Sequence, residues 1–177
     1  KAVAEVLFGD YNPAGKLPVT FYRNVSQLPD FEDYNMTGRT YRYMQDVPLF
    51  PFGYGLSYTT FGYGKTVLDK NELTAGQSLK LTVPVTNTGK RNGEEVVQVY
   101  LRKQGDAEGP IKTLRAFKRV SIPAGKTVNV EFDLKDKELE WWDDQSNTVR
   151  VCPGNYDIMV GGSSKEEDLQ RTTIAIK

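Results

Sequence analysis

Residues 127–134 read Thr-Val-Asn-Val-Glu-Phe-Asp-Leu. Apolar and polar side chains alternate along the whole stretch. Successive side chains of a strand point to opposite faces, so Val128, Val130, Phe132 and Leu134 share one face. Asn129, Glu131 and Asp133 take the other. This is the signature of a strand with one buried and one wet side, as in an antiparallel sheet. Pro123-Ala124-Gly125-Lys126 just ahead of it is a turn. The same grammar extends in both directions. Upstream, 79–86 (LKLTVPVT) alternates and ends at the turn Asn87-Thr88-Gly89, then 95–101 (EVVQVYL) and 114–122 (LRAFKRVSI) follow. Downstream come 148–151, 154–160 and 169–176. About seven short strands separated by turn signals predict an antiparallel β-sandwich, here over 65–177.

Residues 1–64 read differently. Val3, Val6 and Leu7 have helical spacing and Gly9 is a natural stop. Residues 10–15 (DYNPAG) are turn-rich, and 17–21 (LPVTF) read as a short strand in which Pro18 favours an edge. A helix, a turn and one strand cannot bury their own apolar faces, so they suggest the last αβ unit of a larger α/β domain. From 22 to 64 periodicity fails and Tyr, Phe, Pro and Gly crowd in. Disorder depletes aromatics, so this predicts a long ordered connector. The chain begins at Lys1 without a signal peptide, which suggests a start inside a longer polypeptide or after processing.

Composition excludes several chemistries. The 177 residues carry 23 Lys+Arg against 23 Asp+Glu, so no charge excess exists to grip nucleic acid or an anionic membrane. No apolar run approaches the roughly 20 residues that span a bilayer. With no His and one Cys, the chain offers no His-based nucleophile system, no structural zinc site and no intrachain disulfide. No cofactor and no metal is implied.

Three stretches carry a resemblance. The first is 6–21 (VLFGDYNPAGKLPVTF), the second Tyr41-Arg42-Tyr43 with 48–59 (PLFPFGYGLSYT). The third runs from 85–89 (VTNTG) through 95–100 and 114–120 to 153–161 (PGNYDIMVG). Together they resemble the C-terminal part of glycoside hydrolase family 3, the family of many β-glucosidases and β-xylosidases. The resemblance implies the end of an α/β-sandwich domain, a linker, and a fibronectin type III-like domain that stabilises the catalytic domains. Residues 36–43 (MTGRTYRY) are more similar to the xylosidase branch. Family members are retaining enzymes with a carboxylate nucleophile and a carboxylate acid/base. The resemblance places both upstream of the segments matched here, so no catalytic residue is assigned and the chain alone is expected to be inactive. The substrate in the intact enzyme would be a β-linked oligosaccharide or aryl glycoside, and the setting periplasmic or extracellular.

Within this frame Arg39, Tyr41 and Arg42 are the candidate substrate-binding residues. Guanidinium groups hydrogen-bond hydroxyls, a phenol ring can stack on a sugar, and the loop would approach the sugar site. The competing reading is that they fix the linker to the missing domain. Asp30, Glu32 and Asp33 read as a solvated acidic loop rather than a calcium site. Trp141 and Trp142 should face opposite ways, one into the core. Cys152 reads as a buried small hydrophobe. The alternative function is a non-enzymatic immunoglobulin-like module that binds carbohydrate or protein; a homodimer through the bared surface is a third expectation.

Overall fold

The structure, a computed structural model, describes residues 1–177. The chain opens with helix α1 (Ala2–Phe8), ended by Gly9 at φ 81°, the left-handed conformation that a residue with no Cβ adopts without strain. After a single-turn helix α2 (Thr40–Tyr43) the strands begin: β1 (Phe61–Tyr63), β2 (Val67–Leu68), β3 (Glu72–Leu73), β4 (Leu79–Asn87), β5 (Gly93–Lys103), β6 (Thr113–Ile122) and β7 (Thr127–Leu134). A one-turn helix α3 (Asp136–Leu139) precedes the hairpin β8 (Trp141–Asp143) and β9 (Thr148–Arg150), and β10 (Gly154–Gly161) and β11 (Gln170–Ile176) close the fold.

Two sheets face each other. In one, β4 is central, with β7 antiparallel along one edge and β1 and β2 sharing the other. In the second the order is β3-β11-β10-β5-β6, antiparallel except for the β3–β11 pair. Strand parity decides what lies between them. Leu79, Leu81, Val83 and Val85 of β4 and Val130, Phe132 and Leu134 of β7 meet Val97, Val99 and Leu101 of β5 and Tyr156, Ile158 and Val160 of β10 in one apolar cluster. The facing read from 127–134 holds: Val130 is 1% exposed, while Asn129, Glu131 and Asp133 are exposed. The expected β-sandwich is the observed fold. Its first strand, β1, lies just ahead of residue 65.

Residues 17–21 do not form a strand. Their pairing is two separate hydrogen-bonded contacts: Leu17 with the 53–54 backbone, and Phe21 with Leu49 and Phe50. Only Phe21–Phe50 amounts to a bridge. Val19, which shares their parity, makes no backbone hydrogen bond, so the ladder is interrupted between the two contacts.

The outer face of the larger sheet is also covered. On β5, Gln98 and Tyr100 alternate with the inward Val97, Val99 and Leu101, yet both are at most 3% exposed. Residues 41–54 of the connector lie over them. The Tyr41 ring stacks on Phe52 at 4.2 Å and meets Tyr100 edge-on at 5.9 Å. The connector is thus a third, irregular layer on the sandwich. Helix α1, by contrast, has no buried residue, and Val3, Leu7 and Phe8 are 73–85% exposed.

Candidate functional site

Two polar anchorages fix the connector to the sandwich, and a third polar cluster stands beside them. The first is a triad. Lys16 Nζ lies 3.1 Å from Glu95 Oε1, and Tyr63 donates its hydroxyl to the same oxygen at 2.9 Å. The Glu95 side chain is 7% exposed. Burial, first, and the facing Glu95 charge push the Tyr63 phenol far above its ordinary pKa, so it serves only as a donor. Glu95 shares the inward parity of Val97 and Val99; a carboxylate there is tolerated because both partners reach it.

The second anchorage is Gln98. Its amide donates to Gly162 O and Gly53 O, and its Oε1 accepts from the Tyr100 hydroxyl at 2.5 Å. Gly53 sits at φ 79°, and a Cβ there would stand 2.2 Å from Gln98 Oε1, so the close approach requires glycine. The third cluster is built on Lys112, 5% exposed, whose ammonium donates to Ser164 O and to Glu166. Arg171 bridges Glu166 to Asp157. The flanking cations hold the Glu166 carboxyl below its ordinary range against a desolvation that acts the other way. Two cavities open along this seam. One of about 660 Å³ lies beside Lys16, Tyr63 and Glu95. The other, about 540 Å³, lies between Tyr41, Met44 and Pro48 of the connector and Lys112 and Glu166 of the sandwich.

Of the candidate residues, Tyr41 and Arg42 stand on this seam and Arg39 does not. Arg39 donates to Asn35 O at 2.8 Å and to Asp33 O, closing its own loop. Tyr41 accepts from Leu114 N at 3.1 Å, and Arg42 O accepts from Ile111 N at 2.7 Å, so residues 111–114 of the sandwich clamp the α2 turn at two points. Thr40, just ahead of Tyr41, has φ 55°. For a β-branched residue that conformation is a genuine outlier, costing of order 1–3 kcal/mol, and such strain concentrates at functional sites. Arg42 lies over the Tyr43 ring at 5.6 Å, with its Nε buried and unpartnered.

Sequence reasoning did not single out Glu95, Gln98, Lys112 or Arg115. A signal existed for Glu95, a charge at an inward parity. None existed for Lys112, which lies in a loop whose partners are over fifty residues away. The remaining features sit elsewhere. Trp141 is 3% exposed, its Nε1–H on Asp106 and its ring edge-on to Tyr156, whereas Trp142 is 48% exposed. Cys152 is buried. Asp30 and Glu32 face solvent away from the seam, and the Asp33 carboxylate accepts from Asn35.

The fold defines a β-sandwich preceded by a short helix and an ordered connector, and comparison with known proteins gives the family. Residues 95–164 match the fibronectin type III-like domain model and residues 1–58 match the glycosyl hydrolase family 3 C-terminal domain model. The chain belongs to the C-terminal region of glycoside hydrolase family 3. It is 54% identical over 175 residues to a xylan 1,4-beta-xylosidase of Xylanibacter ruminicola, a match covering 99% of this chain and 20% of the relative. With a periplasmic beta-glucosidase of Salmonella typhimurium it shares 38% over 176 residues, covering 92% of the chain and 23% of the relative. The solved structure of a β-glucosidase from Erythrobacter marinus superimposes with a TM-score of 0.83 at 41% identity, over 99% of this chain and 23% of that one. The chain thus spans between a fifth and a quarter of the length of these relatives.

Proposed function

We propose that this chain is the non-catalytic C-terminal part of a retaining β-xylosidase or β-glucosidase, and that its role is support. In this reading residues 1–64 complete the α/β domain and connect it, and residues 65–177 form the domain that braces it. The observation that carries the reading is the contrast across residues 1–58. One side is anchored to the sandwich by Lys16, Tyr41 and Gly53, while Val3, Leu7, Phe8, Phe31 and Tyr34 on the same segment are 73–96% exposed. An apolar set of that extent is the buried side of something larger. The substrate of the parent would be a β-linked oligosaccharide or aryl glycoside, and its setting the periplasm or the cell exterior. The α2 turn, with Arg39, Tyr41 and Arg42, would border the sugar site.

Purified chain should not release p-nitrophenol from aryl β-xylosides or β-glucosides; turnover by the chain would overturn the assignment. In the parent enzyme Arg39→Ala should raise KM for oligosaccharides. Unchanged kinetics with a lowered Tm would leave the turn a purely structural element.

A further inference from the structure

We propose that Arg42 and Arg115 form a paired-guanidinium site for a carboxylate group, at the seam between connector and sandwich. Arg115 is the residue in excess at a bulge: Val99 pairs with Ala116 and Tyr100 with Leu114, leaving Arg115 without a partner on β5. Bulges re-aim side chains and recur beside functional sites. The clamp that joins Leu114 N to the Tyr41 hydroxyl and Ile111 N to Arg42 O brings the α2 turn against this bulge. Two guanidinium groups are therefore neighbours. Arg42 lies over Tyr43, and Arg115 lies over Trp141 at 5.5 Å while donating one Nη2–H to Glu140 O. Desolvation, and then the Arg42 charge, lower the Arg115 pKa.

Neither guanidinium has a carboxylate within ion-pair distance. The arginines in ion pairs are Arg119, Arg150 and Arg171. Glu140 accepts from Arg115 through its backbone oxygen while its carboxylate acts on Arg115 only from a distance, and Asp106, the other carboxylate near Trp141, is taken up by Trp141 Nε1–H and Gly109 N. The Nε of Arg42 and that of Arg115 are both buried with no acceptor. Two like charges with unused donors, each ring-stacked and so held in place, match what a carboxylate supplies: one negative charge and two oxygens for planar forks. A carboxylate can come from a uronic-acid sugar or from an acidic side chain elsewhere in the parent. The sugar source deepens the reading of the α2 turn as a border of the substrate site and rests on it.

The test is isothermal titration of the 177-residue chain with sodium D-glucuronate, with D-glucose and sodium chloride at matched ionic strength as controls. Glucuronate should bind saturably and the controls should not. Arg42→Gln and Arg115→Gln should each weaken binding by about tenfold or more, the scale of losing a charge-assisted fork. Arg42→Lys, which keeps the charge and loses the fork, should weaken it as well. Arg115→Gln also removes the hydrogen bond to Glu140 O; if it unfolds, the Arg42 variants decide alone. No saturable binding, or binding that Arg42→Gln leaves intact, overturns the proposal. Acetate binding as tightly as glucuronate points to an acidic side chain as the natural occupant, and glucuronate binding more tightly points to the sugar. Glucuronate binding by the chain together with an unchanged KM of the Arg42→Gln parent would sink the substrate reading alone. The opposite pair of results would sink the carboxylate site alone.

Discussion

Residues 61–176 hold the continuous apolar core, whereas the buried apolar residues of 1–58 are Ala14 and Met44. The sandwich is held by area. Its inward Leu, Val and Ile side chains leave water together, and each buried one contributes roughly 1.5–3 kcal/mol. The connector is held by address. Lys16 finds Glu95, Gly53 finds Gln98, and Tyr41 finds Leu114 N, each contact directional and each with one partner set. The two regions should therefore fail in different ways: the sandwich cooperatively, the connector one anchorage at a time.

The sharpest way to break that contrast is in the core. Val130→Asp puts a charge at a position 1% exposed, with no cation in the apolar cluster around it. The expected loss is about 4 kcal/mol or more, enough to abolish a cooperative thermal transition by circular dichroism. A variant that melts like the parent would mean that core and connector are not held differently at all. Next comes the triad. Lys16→Met leaves Glu95 buried beside the Tyr63 hydroxyl alone, a loss of about 3 kcal/mol on the scale of half-broken buried pairs. Lys16→Met with Glu95→Gln should recover part of it, because no uncompensated charge remains. Equal melting of single and double variants would show that the ion pair does not hold the seam. Tyr41→Phe is milder. It keeps the stack on Phe52 and removes the acceptor of Leu114 N, an effect of about 1 kcal/mol. Its mark should be faster proteolysis within 22–58 while hydrogen exchange in β4 and β10 stays slow. Equal loosening of both would show one cooperative unit.

The same contrast explains what the sequence made readable. Residues 127–134 could be assigned a face because strand parity is local: each side chain's direction follows from its neighbour's. The split of Trp141 from Trp142 follows from the same rule. The connector obeys no such rule. That it is ordered could be read from its aromatics, but not where it lies, because Gly53 and Gln98 are forty-five residues apart and neither announces the other. Residues 17–21 were misread for a related reason. A strand needs a partner in step along its whole length, and the 49–54 segment meets this one only at Leu17 and Phe21. At the candidate site the turn at 39–42 was legible as a cluster of Arg and Tyr. Arg115 was not, because a bulge is a property of two strands in register.

The smallest expected effect lies where the sandwich borrows the connector's means. The β8–β9 hairpin inserts between β7 and β10 and pairs only with itself. The Asp143 carboxylate ties its turn, accepting from Ser146 Oγ at 2.7 Å, Arg150 Nε at 2.6 Å and Gln145 N at 3.3 Å. The Ser146 hydroxyl, then Arg150, hold its pKa at about 2. A carboxyl depressed by folding contributes stability that is full above its unfolded pKa, about 3.9. That contribution fades as pH falls through about 2. Carboxyl titration by carbon-detected NMR should find Asp143 near that value, and Ser146→Ala and Arg150→Ala should each raise it toward the ordinary range. The Tm of the whole chain at neutral pH should hardly move, because the hairpin rests on Trp141 in the core rather than on its turn. A large drop in Tm from Ser146→Ala would show that directed contacts carry weight inside the sandwich too, and that area and address do not divide the molecule where the two regions meet.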